Sequence, residues 1–164
     1  MLVGILPFFH SFGYTVTIWT ILMLDAKGIY HYSPLEPRQI GKLCQKHQAT
    51  ILLSTPTFLR SYMRRCQPED LASLEVIITG AEKMPSELAD AFERKFSIRP
   101  LEGYGTTELS PVVSANIPAG RLPTTFQIGA KEGTVGRPLP GIMAKVVHLE
   151  TGEDLGVDQP GMLL

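Results

Sequence analysis

The chain has 164 residues, of which 44% are apolar and 19% charged, and its net charge is −1. That length suits about one domain with a real core, and the composition is ordinary for a soluble globular protein. The charge balance leaves no basic surplus, which argues against a nucleic-acid partner and against attachment to an anionic membrane surface by charge.

Residues 1–6 predict a short apolar strand that Pro7 stops. Ser11 opens a predicted helix to about Leu24, apolar nearly all round and therefore expected to be buried or to face a neighbouring domain. Residues 28–32 predict a second strand, and 33–37 a turn into a helix that carries Ile40, Leu43, Cys44 and His47 at helical spacing. Residues 50–53 predict a third strand, followed by a helix from Pro56, which suits a first helical turn. Residues 74–78 predict a fourth strand. The helix after Pro85 lines up Leu88, Phe92 and Phe96, with acids early (Glu87, Asp90) and bases late (Arg94, Lys95) as the helix dipole prefers. Residues 99–102 predict a fifth strand. This alternation predicts an α/β fold with a mostly parallel sheet and crossover helices. The rhythm then breaks. A Pro/Gly-bearing loop covers 116–131, and short strands are expected at Val135, 143–149 and 161–164, with a hairpin turn at 150–153. The expected organisation is an α/β subdomain at 1–118 and the start of a small β-rich, barrel-like subdomain at 119–164.

Cys44 and Cys66 are the only cysteines, and neither belongs to a CxxC pair. No zinc site or disulfide framework is therefore expected, and a reducing, cytoplasmic setting fits. His10, His31, His47 and His148 lie too far apart in sequence for metal-ligand spacing. The apolar run at 14–24 falls well short of the roughly 20 residues that cross a bilayer, and it lacks the flanks of a signal peptide.

The densest chemistry lies at 101–111, Leu-Glu-Gly-Tyr-Gly-Thr-Thr-Glu-Leu-Ser-Pro. Gly103 and Gly105 let a ligand approach the backbone closely. Tyr104, between them, can lay its ring on a flat heterocycle. Thr106 and Thr107 offer hydroxyls to a phosphate, and Glu108 can hold magnesium, which usually bridges phosphates. The plainer reading is a strand end with a Gly-rich turn. In an open parallel sheet, ligands sit outside the carboxyl ends of the strands. His10 follows the first predicted strand, Ser54 and Thr55 the third, Gly80-Ala81-Glu82 the fourth and Tyr104 to Glu108 the fifth, so one sheet edge is expected to gather them. Taken singly, Glu82 also fits a helix start, His10 a satisfied histidine at the core edge, and Ser54 and Thr55 helix caps.

Four segments together resemble the adenylate-forming enzymes, which include acyl-CoA synthetases, firefly luciferase and peptide-synthetase adenylation domains. Tyr104-Gly105-Thr106-Thr107-Glu108 is similar to their Tyr-Gly-x-Thr-Glu motif, Leu6-Pro7-Phe8-Phe9-His10 to Leu-Pro-x-Phe-His, Thr79-Gly80-Ala81-Glu82 to their adenine-side glycine motif, and residues 133–141 to Gly-x-Val-Gly-x-Pro. Within that family, His10-Ser11-Phe12-Gly13, Gly80-Ala81-Glu82-Lys83 and the Glu102–Glu108 run look most like the ligase half of bifunctional acyl-ACP synthetase/2-acylglycerophosphoethanolamine acyltransferases.

The resemblance implies an enzyme that joins a fatty acid to ATP as an acyl-adenylate and passes the acyl group to a thiol, either CoA or the phosphopantetheine of an acyl carrier protein. It implies that Tyr104 stacks on adenine, that Gly80, Ala81 and Gly103 wall the pocket, and that Glu82, Gly105 and Thr106 belong to the nucleotide site. It further implies that Thr107 contacts the α-phosphate, that Glu108 binds magnesium, and that His10 borders the acyl carboxylate. Thr107 and Glu108 are the catalytic candidates. The family's Pro-Lys-Gly phosphate loop, Tyr-x-Thr-Gly-Asp ribose motif and catalytic lysine do not occur here, and the tail reads Gly161-Met162-Leu163 where Gly-Glu-Leu is common. An inactive internal piece of a longer enzyme is therefore expected, with any membrane association belonging to the full-length parent. A non-catalytic α/β module binding a partner or an acyl carrier, and an unrelated nucleotide-binding α/β enzyme, are the alternative classes.

Overall fold

The computed structural model of the chain describes residues 1–118 and 129–164. Five short segments build the parallel part of the main sheet: β1 (Leu2–Gly4), β2 (Gly28–Tyr30), β3 (Ile51–Ser54), β4 (Val76–Thr79) and β5 (Leu101–Tyr104). Their spatial order is β2-β1-β3-β4-β5, with every neighbouring pair parallel. Two short antiparallel strands, β6 (Ser114–Ala115) and β7 (Arg137–Pro138), extend the β5 edge to seven strands. The α/β fold with a mostly parallel sheet is thus as predicted.

Alternation along the strands divides the core in two. Val3, Leu52 and Ile77 face one side and pack with Ile40, Leu59, Tyr62 and Phe92 from helices α3 (Pro37–His47), α4 (Pro56–Arg65) and α5 (Ser86–Phe96). Leu2 and Leu53 face the other side and pack with Ile21, Phe12 and Val16. The three helices end as their sequences direct. Pro37 and Pro56 occupy first-turn positions, while Gln48 and Ser97 close α3 and α5 in the left-handed conformation.

The first helix departs from expectation. It runs as α1 (Ser11–Gly13), a π-helical turn at Tyr14–Trp19 and α2 (Thr20–Met23). The hydroxyl of Thr17 donates back to the Gly13 carbonyl, and that of Thr20 to the Thr15 carbonyl at 3.1 Å. The Tyr30 hydroxyl donates to the Thr17 carbonyl at 2.9 Å. Back-bonding threonines compete with the i→i−4 ladder and accompany its widening. Burial is confined to one stripe: Thr17 and Ile21 are inside, whereas Tyr14, Trp19, Leu22, Met23 and Leu24 are exposed.

Other boundaries shift for identifiable reasons. β5 continues through Gly103 and Tyr104 because these pair with Ala115 and Ser114. Val135 is in no strand, and Arg137–Pro138 takes the place next to β6. The strands predicted at 143–149 and 161–164 shorten to β8 (Val146–Val147) and β9 (Met162–Leu163), an antiparallel pair with an additional bridge from Val147 to Asp154. The main sheet therefore uses residues on both sides of position 118. The predicted loop at 116–131 lies partly outside the described residues. At its near end, buried Asn116 donates from its amide to the carbonyls of Glu102 (3.0 Å) and Thr134 (2.7 Å) and accepts from the Lys131 N–H (3.0 Å). Among the described residues no helix is long and apolar enough to cross a membrane.

Candidate adenylate-binding cleft

Segments leaving the carboxyl ends of β1, β4 and β5 meet over one cleft of about 170 Å³. This is the position where open parallel sheets bind ligands.

The β1 segment turns at Pro7, and His10 becomes the N-cap of α1. Its Nδ1 accepts the Phe12 N–H at 3.2 Å, so a neutral ring carries its proton on Nε2. Ser11, the first helical residue, places its Oγ 3.1 Å from the Thr107 Oγ1, 96 positions away in sequence.

The β4 segment contributes Gly80 and Ala81, the latter in the left-handed region at φ +67°. The β5 segment contributes Gly103, Tyr104, Gly105, Thr106 and Thr107. Gly105 is obligatory there, since a Cβ would overlap the Pro111 carbonyl. The chain can therefore fold back on itself, and the Val113 N–H donates to the Tyr104 carbonyl at 2.9 Å. Thr106 precedes a single 3₁₀ turn, Thr107–Leu109, closed by Ser110 at φ +63°.

Eight of the predicted site residues thus line one cleft: His10, Gly80, Ala81 and the five from Gly103 to Thr107. Glu82 and Glu108 do not line it. The Glu82 carboxylate accepts the Thr57 hydroxyl at 2.8 Å, and Glu108 stands exposed on the 3₁₀ turn. Glu102 accepts the Met84 N–H at 3.3 Å and so supports the β4–α5 connection. Thr55 is a helix cap, accepting the Phe58 N–H at 3.3 Å, and buried Ser54 donates to the Thr55 carbonyl; neither lines the cleft.

The remaining lining is mostly apolar and includes Phe12, Val16, Leu53, Ile78 and Val112, with the hydroxyls of Ser11 and Thr79. Phe12 and Val16 were legible as candidates: they follow His10 at i+2 and i+6 and lie four apart on one helix face. Val112 and Pro111 carry no such signal, because only the fold-back at Gly105 brings them in.

Among the described residues no group of three or more His, Cys, Asp or Glu is placed to hold a metal ion. Magnesium is commonly held by one or two carboxylates together with substrate phosphates. Glu108 belongs to no such group of three or more.

The sequence matches the AMP-binding enzyme family over residues 1–164. The chain belongs to that family. Among similar proteins of the AMP-binding family, probable 4-coumarate–CoA ligase 1 of Dictyostelium discoideum is 34% identical over 96% of this chain and 28% of its own length. The long-chain-fatty-acid–CoA ligase of Bacillus subtilis (strain 168) is 31% identical over 92% of this chain and 26% of its own length. The crystal structure of ATP-bound MatB from Rhodopseudomonas palustris superposes with a TM-score of 0.83 at 26% identity, covering 99% of this chain and 30% of that one. The chain therefore spans about a quarter to a third of the length of these AMP-binding relatives.

Proposed function

We propose that the chain is part of an ATP-dependent fatty acyl ligase that forms an acyl-adenylate and transfers the acyl group to a thiol, CoA or the phosphopantetheine of an acyl carrier protein. One observation carries this reading: Tyr104 and Thr107 share a strand end at a cleft that also has an apolar wall of Phe12, Val16, Leu53, Ile78 and Val112. A ring, a phosphate-binding hydroxyl and an acyl-compatible wall within one cleft suit an acyl-adenylate. Tyr104 stacks on the base between Gly80-Ala81 and Gly103, with Gly105 and Thr106 completing the nucleotide site and Glu82 outside it, bonded to Thr57. Thr107 meets the α-phosphate, Glu108 holds the magnesium that arrives with ATP, and His10 borders the acyl carboxylate. When bound, the cation offsets charge that builds on the phosphate. The names of relatives as CoA ligases support the acid–thiol class. The His10-Ser11-Phe12-Gly13 and Gly80–Lys83 segments favour the bifunctional acyl-ACP synthetase/acyltransferase type, acting in phospholipid acylation from the cytoplasm, with the full-length parent at the inner face of the membrane.

The test is ATP–pyrophosphate exchange by the full-length parent. Exchange should require both magnesium and a fatty acid. Tyr104→Ala should chiefly raise the KM for ATP, because base stacking, about 1–3 kcal/mol, is similar in ground and transition states. Glu108→Gln should lower kcat and be partly rescued by excess magnesium. Exchange without added acid, or wild-type kcat for Glu108→Gln at limiting magnesium, would contradict the assignment.

A further inference from the structure

The Ser11 hydroxyl at the cleft wall is not accounted for by the roles above. Ser11 begins α1, yet the helix is capped by His10, so the Ser11 hydroxyl takes no part in satisfying backbone N–H groups. Among the described residues its partner is the Thr107 hydroxyl at 3.1 Å, and that hydroxyl has no other partner there. Both line the cleft. The pair joins the turn after β1 to the 3₁₀ turn after β5 across the cleft.

We propose that Ser11 is a second anion-binding hydroxyl, which together with Thr107 grips one phosphoryl group of the ligand. This rests on the adenylate reading and adds a ligand contact to it. Two hydroxyls bonded to each other use one of their two protons. A phosphoryl group entering between them accepts both O–H groups through two of its oxygens, and the mutual bond gives way to two charge-assisted ones. The unliganded pair keeps both side chains oriented toward the cleft, so little rotamer freedom is lost on binding. Ser11 suits this role because His10 has taken over the capping that a serine here would otherwise supply.

The experiment is a calorimetric titration of the full-length parent with AMP and with adenosine, which differ by the phosphate alone. Ser11→Ala should weaken AMP about tenfold, the size of one hydrogen bond to a charged group, and leave adenosine affinity and Tm unchanged. Ser11→Thr, which keeps the hydroxyl, should restore AMP binding. An equal loss for both ligands would make Ser11 merely structural, and an unchanged AMP affinity in Ser11→Ala would remove it from the site; either result overturns the proposal while leaving the adenylate reading intact. If the full-length parent binds neither adenosine nor AMP, the adenylate reading itself falls, and the role of Ser11 with it.

Discussion

The Thr57 hydroxyl on α4 donates to the Glu82 carboxylate at 2.8 Å, so the loop after β4 is tied to a helix instead of being free to turn its charge inward. Both residues are exposed, and exposed polar pairs contribute little, roughly 0–1 kcal/mol. Thr57→Val and Glu82→Gln should therefore each lower stability by less than about 1 kcal/mol, and a double-mutant cycle in urea should return a coupling within that range. A larger coupling would mean that the pair also fixes the backbone of Gly80 and Ala81.

Gly105→Ala should be much more costly. The added methyl meets the Pro111 carbonyl, part of the backbone, which no rotamer change can relieve. A loss of about 2 kcal/mol or more is expected in denaturant titration, together with chemical-shift changes confined to the 104–113 fold-back. Wild-type stability would show that the turn has an alternative path.

Cys44 and Cys66 are buried. Burial pushes the thiol of Cys44 up to about 12 and that of Cys66 to about 11, and the Cys66 thiol donates to the Pro37 carbonyl at 3.1 Å. Thiolate is the reactive form, so a chromogenic disulfide reagent at mildly alkaline pH should label neither cysteine in the native chain and both in denaturant. Rapid labelling of native protein would point to local opening around α3 and α4.

Near the start of α3, the Tyr32 hydroxyl donates to Glu36 at 2.6 Å and His31 Nε2 lies 3.2 Å from the other carboxylate oxygen. The Tyr32 bond, opposed by desolvation and helped by His31, holds the Glu36 carboxyl below its ordinary range, and the same bond raises the Tyr32 hydroxyl. A depressed carboxyl stabilises the fold above its unfolded pKa, and this is lost as pH falls through the lower folded value; a raised phenol does the converse at alkaline pH. The Tm difference between wild type and Tyr32→Phe should be present at neutral pH and vanish on acidification past the carboxylate range. A difference that persists in strong acid would assign the effect to packing.

The parallel sheet and its helices were legible because most strands are short apolar runs and the helices α3 to α5 repeat their apolar residues at helical spacing, with Pro37 and Pro56 marking starts. The cleft was legible to the extent that its residues follow strands directly. What escaped depends on contacts between distant segments. The widened turn at Tyr14–Trp19 needs Tyr30 and the back-bonding threonines, and the extension of β5 through Tyr104 needs β6 as a partner. That Thr55 caps a helix while His10 both caps and lines the cleft was undecidable from residue type, since the alternatives use the same donors and acceptors.

Asn116 shows how much can depend on a single atom. Its amide nitrogen supplies both contacts that fasten Glu102 of the sheet edge to Thr134. Exchange of that nitrogen for oxygen, the change that hydrolytic ageing of an asparagine makes, keeps the shape and reverses the chemistry. Two attractions to carbonyl oxygens become two repulsions, with a negative charge enclosed between them. The end of β5 would then lose its side-chain tie to Thr134 without any change in size at the junction. One side-chain amide thus decides whether this junction attracts or repels.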